Sequence, residues 1–320
     1  MPGQARHKRR PPEEPPVPDL ILHHYDLSPF AEKVRLAFGL KGLAWRSVDI
    51  PVWPPRPDTV PLTAGYRRVP VLQVGADVYC DTLLILREVD RRFSSPGLFP
   101  GGSRALAAGL SSWWDVGTFL PAAKLVTSII GDHLPEAFLE DRIAFMGEDF
   151  SRSASLKELP RNRQRVAAQM TALSEMLGDG RRFLLGDAPS AADLTAYHTL
   201  WFVRKNGGAE AEALLPFAPL LPWMERIAAL GHGTRADMAP AEALEVARSA
   251  EPEPVGAFAD DASGLEAGAA VSILSDGGND PIRGTLAHAD ADEIVIRHEG
   301  PRTGAVHVHF PRLGYSAVAA

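Results

Sequence analysis

"RRVPVLQVGADVYCDT" runs from Arg67 to Thr82. A proline opens an apolar run, a second apolar run follows, and an acidic and a hydroxyl residue close the stretch. "PVLQV" and "VYC", separated by Gly-Ala-Asp, read as two strands joined in a hairpin through Gly75. "TLLILREVDRRF" (82–93) follows as a helix with apolar residues on one face and charges on the other.

Working back from the hairpin, residues 51–61 carry Pro51, Pro54, Pro55, Pro57 and Pro61 and cannot be regular structure. Before them, "DLILHHY" (19–25) and "LAWRSVDI" (43–50) read as strands. Between these lies "LSPFAEKVRLAFGLKG" (27–42), a helix with Phe30, Val34, Ala37, Phe38 and Lys41 on one face and Gly42 at its end. Ser28 takes the N-cap and Pro29 the first helical position, where a missing N–H costs nothing. Strand, helix and strand in about 30 residues make a right-handed unit with parallel strands. The order over residues 19–100 is therefore β-α-β-loop-β-β-α.

Residues 103–249 read as helical throughout, with the first helix continuous or broken near Pro121. "SAADLTAY" opens another helix, with Ser190 and Asp193 in capping-box spacing. Helices at this density make a bundle. Residues 250–264 read as a linker. From 265 to 320, short apolar runs alternate with Gly, Asn, Asp and Pro, which predicts a small β domain, barrel or meander. Residues 1–18 hold six prolines and few large apolar groups, and read as a disordered tail.

Composition narrows the function. Of 320 residues, 45% are apolar and 23% charged, as in ordinary globular proteins. The net charge is −7, and −11 once the basic first ten residues are set aside, which argues against a broad nucleic-acid surface. No apolar run approaches the ~20 residues of a membrane span. The basic N-terminus lacks the apolar stretch of a secretory signal, so a cytoplasmic location is expected. Cys80 is the one cysteine, so neither an intramolecular disulfide nor a cysteine zinc cluster is expected, and the residue reads as a buried apolar thiol. His307 and His309 in "HVHF" share a strand face, but the sequence offers no evident third ligand and no metal is expected.

Three stretches in the right order, "SPFAEKVR", "RRVPVLQVGADVYCDT" and "SAADLTAY", resemble the glutathione S-transferase superfamily, in its members with a serine or cysteine at the start of the first helix. The resemblance spans about 220 residues and stops before the β domain. It implies an α/β thioredoxin-like domain over 19–100 and an all-α bundle over 103–249. It implies glutathione as co-substrate, with no metal. Val69 would present its backbone to the cysteinyl part, before a cis Pro70. Asp81 would face the γ-glutamyl ammonium, and Thr82 would take the carboxylate. Arg68, or Arg56 in the proline-rich loop, is the candidate cation for the glycyl carboxylate. Tyr25, Leu27, Trp113, Trp114 and Phe119 are candidate linings for the pocket of the electrophilic acceptor.

Ser28 is the implied catalytic residue, for a stated physical reason. A helix N-terminus presents free amides and about half a positive charge, which stabilises a thiolate. A hydroxyl donated to that thiolate adds roughly 1.5–3 kcal/mol. Since one pKa unit is about 1.4 kcal/mol, a thiol near ~8.5 would fall by ~1–2 units and ionise substantially at neutral pH. The expected enzyme is a glutathione transferase active in detoxification, working as a homodimer through the first bundle helices and attacking a small apolar electrophile. Isomerase, dehalogenase or peroxidase chemistry at the same site remains open. So does a non-catalytic binding or scaffolding role.

Overall fold

The computed structural model of the chain describes residues 19–256, 263–276 and 281–320. The tail expected over 1–18 and part of the expected linker lie outside them.

The N-terminal half follows the expected order. β1 (Ile21–His24), α1 (Pro29–Leu40) and β2 (Ala44–Asp49) form the βαβ unit, with β1 parallel to β2. The proline-rich segment leads into α2 (Val60–Thr63), a single turn. β3 (Val71–Val74) and β4 (Asp77–Cys80) form the hairpin, with Gly75 at a φ of 61°. β3 runs antiparallel to β1, and α3 (Thr82–Arg92) follows β4. α1 and α3 cover one sheet face, burying Val34, Phe38, Leu72, Ile85 and Val89.

The bundle begins with α4 (Arg104–Ser111), a π-helical turn (Ser112–Val116) and α5 (Phe119–Ile130). The break therefore falls ahead of Pro121, which sits in the first turn of α5, where its absent N–H is not needed. α6 (Glu136–Met146) and α7 (Arg152–Met176) follow. α7 carries Pro160 in its interior and starts at a Ser151 cap, whose hydroxyl accepts the Ala154 N–H at 3.3 Å. α8 (Ala191–Leu214) and α9 (Leu221–Ala228) complete the bundle. At the head of α8, Asp193 is fully buried and accepts from the Ser190 N–H and hydroxyl, the Leu184 N–H and the Trp223 indole at 2.7–3.0 Å. This capping box pins α8 to the loop before it and to α9.

Beyond α9 the chain returns to the sheet, which corrects the reading of 103–249 as helical throughout. β5 (Thr234–Asp237) pairs in parallel with β2, and α10 (Pro240–Arg248) packs on the sheet face opposite α1 and α3. Gly233 allows this: its φ is +68°, and a Cβ would lie 2.2 Å from the Leu43 carbonyl oxygen. The C-terminal strands are β6 (Ala270–Ser275), β7 (Ile282–Ala289), β8 (Glu293–Gly300), β9 (Gly304–Pro311) and β10 (Tyr315–Ala319). β6 to β9 form an antiparallel meander, and β10 pairs back onto β6. They do not close into a barrel of their own. β9 lies parallel to β4, so one ten-stranded sheet runs β10-β6-β7-β8-β9-β4-β3-β1-β2-β5.

Candidate functional site

Strand register brings three segments to one end of the sheet. His23 lies opposite Val71, and Val71 opposite Cys80. The loop after β1, the residues before β3 and the residues after β4 therefore meet. They carry Tyr25 to Ser28, Val69–Pro70 and Asp81–Thr82, and the Val69–Pro70 bond is cis.

Two helices start at this end. Ser28 caps α1, its Oγ accepting the Ala31 N–H at 3.2 Å, and is 1% exposed. Accepting leaves its hydroxyl hydrogen available to donate. Asp81 caps α3, accepting the Leu83 N–H at 2.9 Å. Its φ of 71° is rare for a residue with a side chain and costs on the order of 1–3 kcal/mol. Such strain persists only where the surroundings impose it, and it clusters at functional sites.

The polar groups here already have partners that the sequence did not announce. Lys33, on α1 and 1% exposed, donates to Thr82 Oγ1 at 3.2 Å and to Asp115 Oδ2 at 2.6 Å. Asp115 stands in the π-helical turn, a distortion frequent at functional sites. Burial pushes its carboxyl up to about 6, although the Lys33 charge opposes this. His198 on α8 lies 3.4 Å from Asp115 Oδ1, and burial and the Lys33 charge hold it well below the ordinary histidine range, hence neutral. From the C-terminal strands, Tyr315 donates its hydroxyl hydrogen to Asp81 Oδ2 at 3.2 Å. The one available signal for Lys33 was its place three residues after Phe30, next to the apolar face of α1. Tyr315 gave none, because 234 residues separate it from Asp81.

A family model for the glutathione S-transferase N-terminal domain matches residues 22–97, and one for the C-terminal domain matches residues 157–226. The solved structure of a GST-like protein from Pseudomonas syringae is 37% identical, with a TM-score of 0.78, over 95% of this chain and 100% of that one. This chain belongs to the glutathione S-transferase superfamily. A zeta-class glutathione S-transferase of Euphorbia esula is 28% identical over 57% of this chain and 75% of its own length. The FtsZ-localized protein A of Caulobacter vibrioides is 26% identical over 54% and 75%.

As a member of the glutathione S-transferase superfamily, the chain departs from the expected site at several residues. Arg68 points to the meander, donating to Ser275 Oγ at 3.4 Å. Arg56 is buried, donating to the Pro51, Val52 and Arg67 carbonyls. The Arg56 guanidinium is thus held by loop carbonyls, and Arg68 has a donor bond to the added strands. Trp114 is fully buried in the bundle core, so it does not line an acceptor pocket. Phe119 is half-buried, against Phe30 and Phe202 at centroid distances of 4.9 and 5.9 Å. Tyr25 is half-buried, while Leu27 and Trp113 are exposed. Cys80 is buried, and desolvation raises its thiol pKa well above the ordinary value.

Proposed function

We propose that this chain is a glutathione-dependent transferase-like enzyme whose site is the sheet end where α1 and α3 both begin. The observation that carries the proposal is the meeting there of Ser28 at one helix N-terminus with the strained Asp81 and Thr82 at the other. In this reading the glutathione cysteine lies against the Val69 backbone. Asp81 takes the γ-glutamyl ammonium, and Thr82 with the α3 amides takes the carboxylate. Lys33 supplies positive charge beside Thr82. Ser28 donates to the sulfur, lowers its pKa and holds it for attack on a small apolar electrophile. Family membership supports the reaction class, and the outcome depends on the acceptor. A homodimer through α4 and the following turn fits the exposed Leu106, Trp113 and Val116. The proposed role is cytoplasmic detoxification; separately, no helix among the described residues is long and apolar enough to cross a membrane.

Two observations favour a second reading, that of a binding module without turnover. Tyr315 already occupies an oxygen of Asp81, and a relative of similar identity is named for its localisation with FtsZ. Calorimetric titration with glutathione, paired with turnover of a general electrophile, separates the two. Micromolar binding with turnover that falls ~10–100-fold in Ser28→Ala, at near-constant affinity, supports the enzyme. Absence of binding at millimolar glutathione overturns it in favour of the module.

A further inference from the structure

A second cluster sits at the far end of β4 from Asp81. Strand register sets Asp77 opposite His307 and Tyr79 opposite His309, and alternation puts all four on the sheet face that carries α3. Asp77 Oδ1 lies 3.0 Å from His309 Nε2 and 3.8 Å from His307 Nδ1, and one ligand atom of each residue lies within 4.8 Å of the other two. His307 Nδ1 is buried with no hydrogen-bond partner.

We propose that Asp77, His307 and His309 bind a divalent first-row transition metal, Zn2+ among them. Two imidazoles and one carboxylate are a suitable donor set. Bonds of 2.0–2.1 Å in tetrahedral geometry set ligand atoms about 3.3 Å apart, between the 3.0 and 3.8 Å from Asp77 Oδ1 to the two imidazoles. The groups behind the ligands are in place as well. His309 Nδ1 lies 3.1 Å from Glu293 Oε2, which leaves Nε2 to face the ion. Asp77 Oδ2 accepts the Glu253 N–H at 2.8 Å, which leaves Oδ1. His309 stacks on Tyr79 with ring centroids 4.4 Å apart, so its plane is held. Asp77 and His309 also line a cavity of about 530 Å³ beneath α3, together with Arg87, Arg91 and Glu293. Without an ion, His309 bridges the two carboxylates as a clamp, while His307 Nδ1, 3.8 Å from Asp77 Oδ1, makes no hydrogen bond.

Titrating the intact, untagged chain with ZnCl2 tests this. One ion per chain at micromolar or tighter affinity is expected, with Co2+ at the same site giving visible absorption bands. His307→Gln should abolish both signals. Glu293→Gln keeps all three ligands and should weaken Zn2+ binding by roughly 10–100-fold. Absence of Zn2+ binding at millimolar metal, or binding unchanged in His307→Gln, overturns the site and leaves an ion-pair clamp. Should His307→Gln fail to fold, the Zn2+-induced rise in the melting temperature of the unaltered chain decides: a rise that shrinks in Glu293→Gln supports the site, and no rise or an unchanged one overturns it.

Discussion

Tyr315 donates its hydroxyl hydrogen to the Asp81 carboxylate at 3.2 Å, tying the last strand to the residue that starts α3. Tyr66 lies 3.3 Å from the same hydroxyl, so three residues remote in sequence share one buried network. In the proposed function the γ-glutamyl ammonium meets a carboxylate that already has a donor. Tyr315→Phe is expected to tighten glutathione binding by roughly 3–10-fold while lowering stability by about 1 kcal/mol. Calorimetry and urea unfolding measure the two. Unchanged affinity would remove Asp81 from the proposed site.

Lys33 and Asp115 form a nearly buried pair that joins α1 to the bundle. Removing one partner leaves the other charge without compensation in a poorly solvated place. Lys33→Met is expected to cost about 3 kcal/mol, and Lys33→Met with Asp115→Asn to restore most of it. A double-mutant cycle by chemical unfolding reads this out. If the double variant is as unstable as the single, the pair is not the source of the loss.

Stability should fall on mild acidification, through β1. Burial, only partly offset by a bond to Gln73, lowers the His23 pKa to about 4; burial with Arg35 and Arg235 lowers that of His24 to about 3. Both values lie below the unfolded value near 6.5, so the unfolded chain binds more protons between them. The contribution is complete above pH ~6.5 and is lost as pH falls toward about 4 and then about 3, on the order of 3 kcal/mol for His23. Asp115 acts the other way: its raised pKa makes the folded state the better proton binder between about 4 and 6, so it destabilises as pH rises through that window. Urea unfolding from pH 8 to 4 should show a net fall, with a smaller slope in His23→Gln. An equal slope in that variant would assign the acid sensitivity elsewhere.

Gly233 is the residue on which β5 depends. Gly233→Ala combines a φ of +68° with a Cβ 2.2 Å from a backbone oxygen that cannot swing aside. A loss of about 2–4 kcal/mol is expected, with raised hydrogen exchange at Thr234, whose N–H donates to Leu43 O at 2.8 Å. A melting temperature within a degree of the original would argue against this close approach.

Local pattern accounts for what was legible in sequence. Period-2 and period-3.6 spacing, Ser28–Pro29 at a helix start, Gly75 in a hairpin and Ser190 with Asp193 are features of a few neighbouring residues. The βαβ unit, the hairpin and the capped α8 appear as read. The π-helical turn, Pro160 inside α7 and the return of 234–248 to the sheet were not legible, because packing against distant segments overrides local preference there.

By itself, the sequence determined the order of the main elements over 19–100, the family resemblance and the candidates at the three segment ends. Tertiary structure decided which charges meet: Tyr315 with Asp81, Lys33 with Thr82 and Asp115, and Asp77 with two histidines of β9. It also decided that the C-terminal strands extend the first sheet instead of standing apart. The reason is physical. Periodicity and capping act over one or two turns of chain, whereas β4 pairs with a strand more than 220 residues away, and only that pairing sets which side chains share a face.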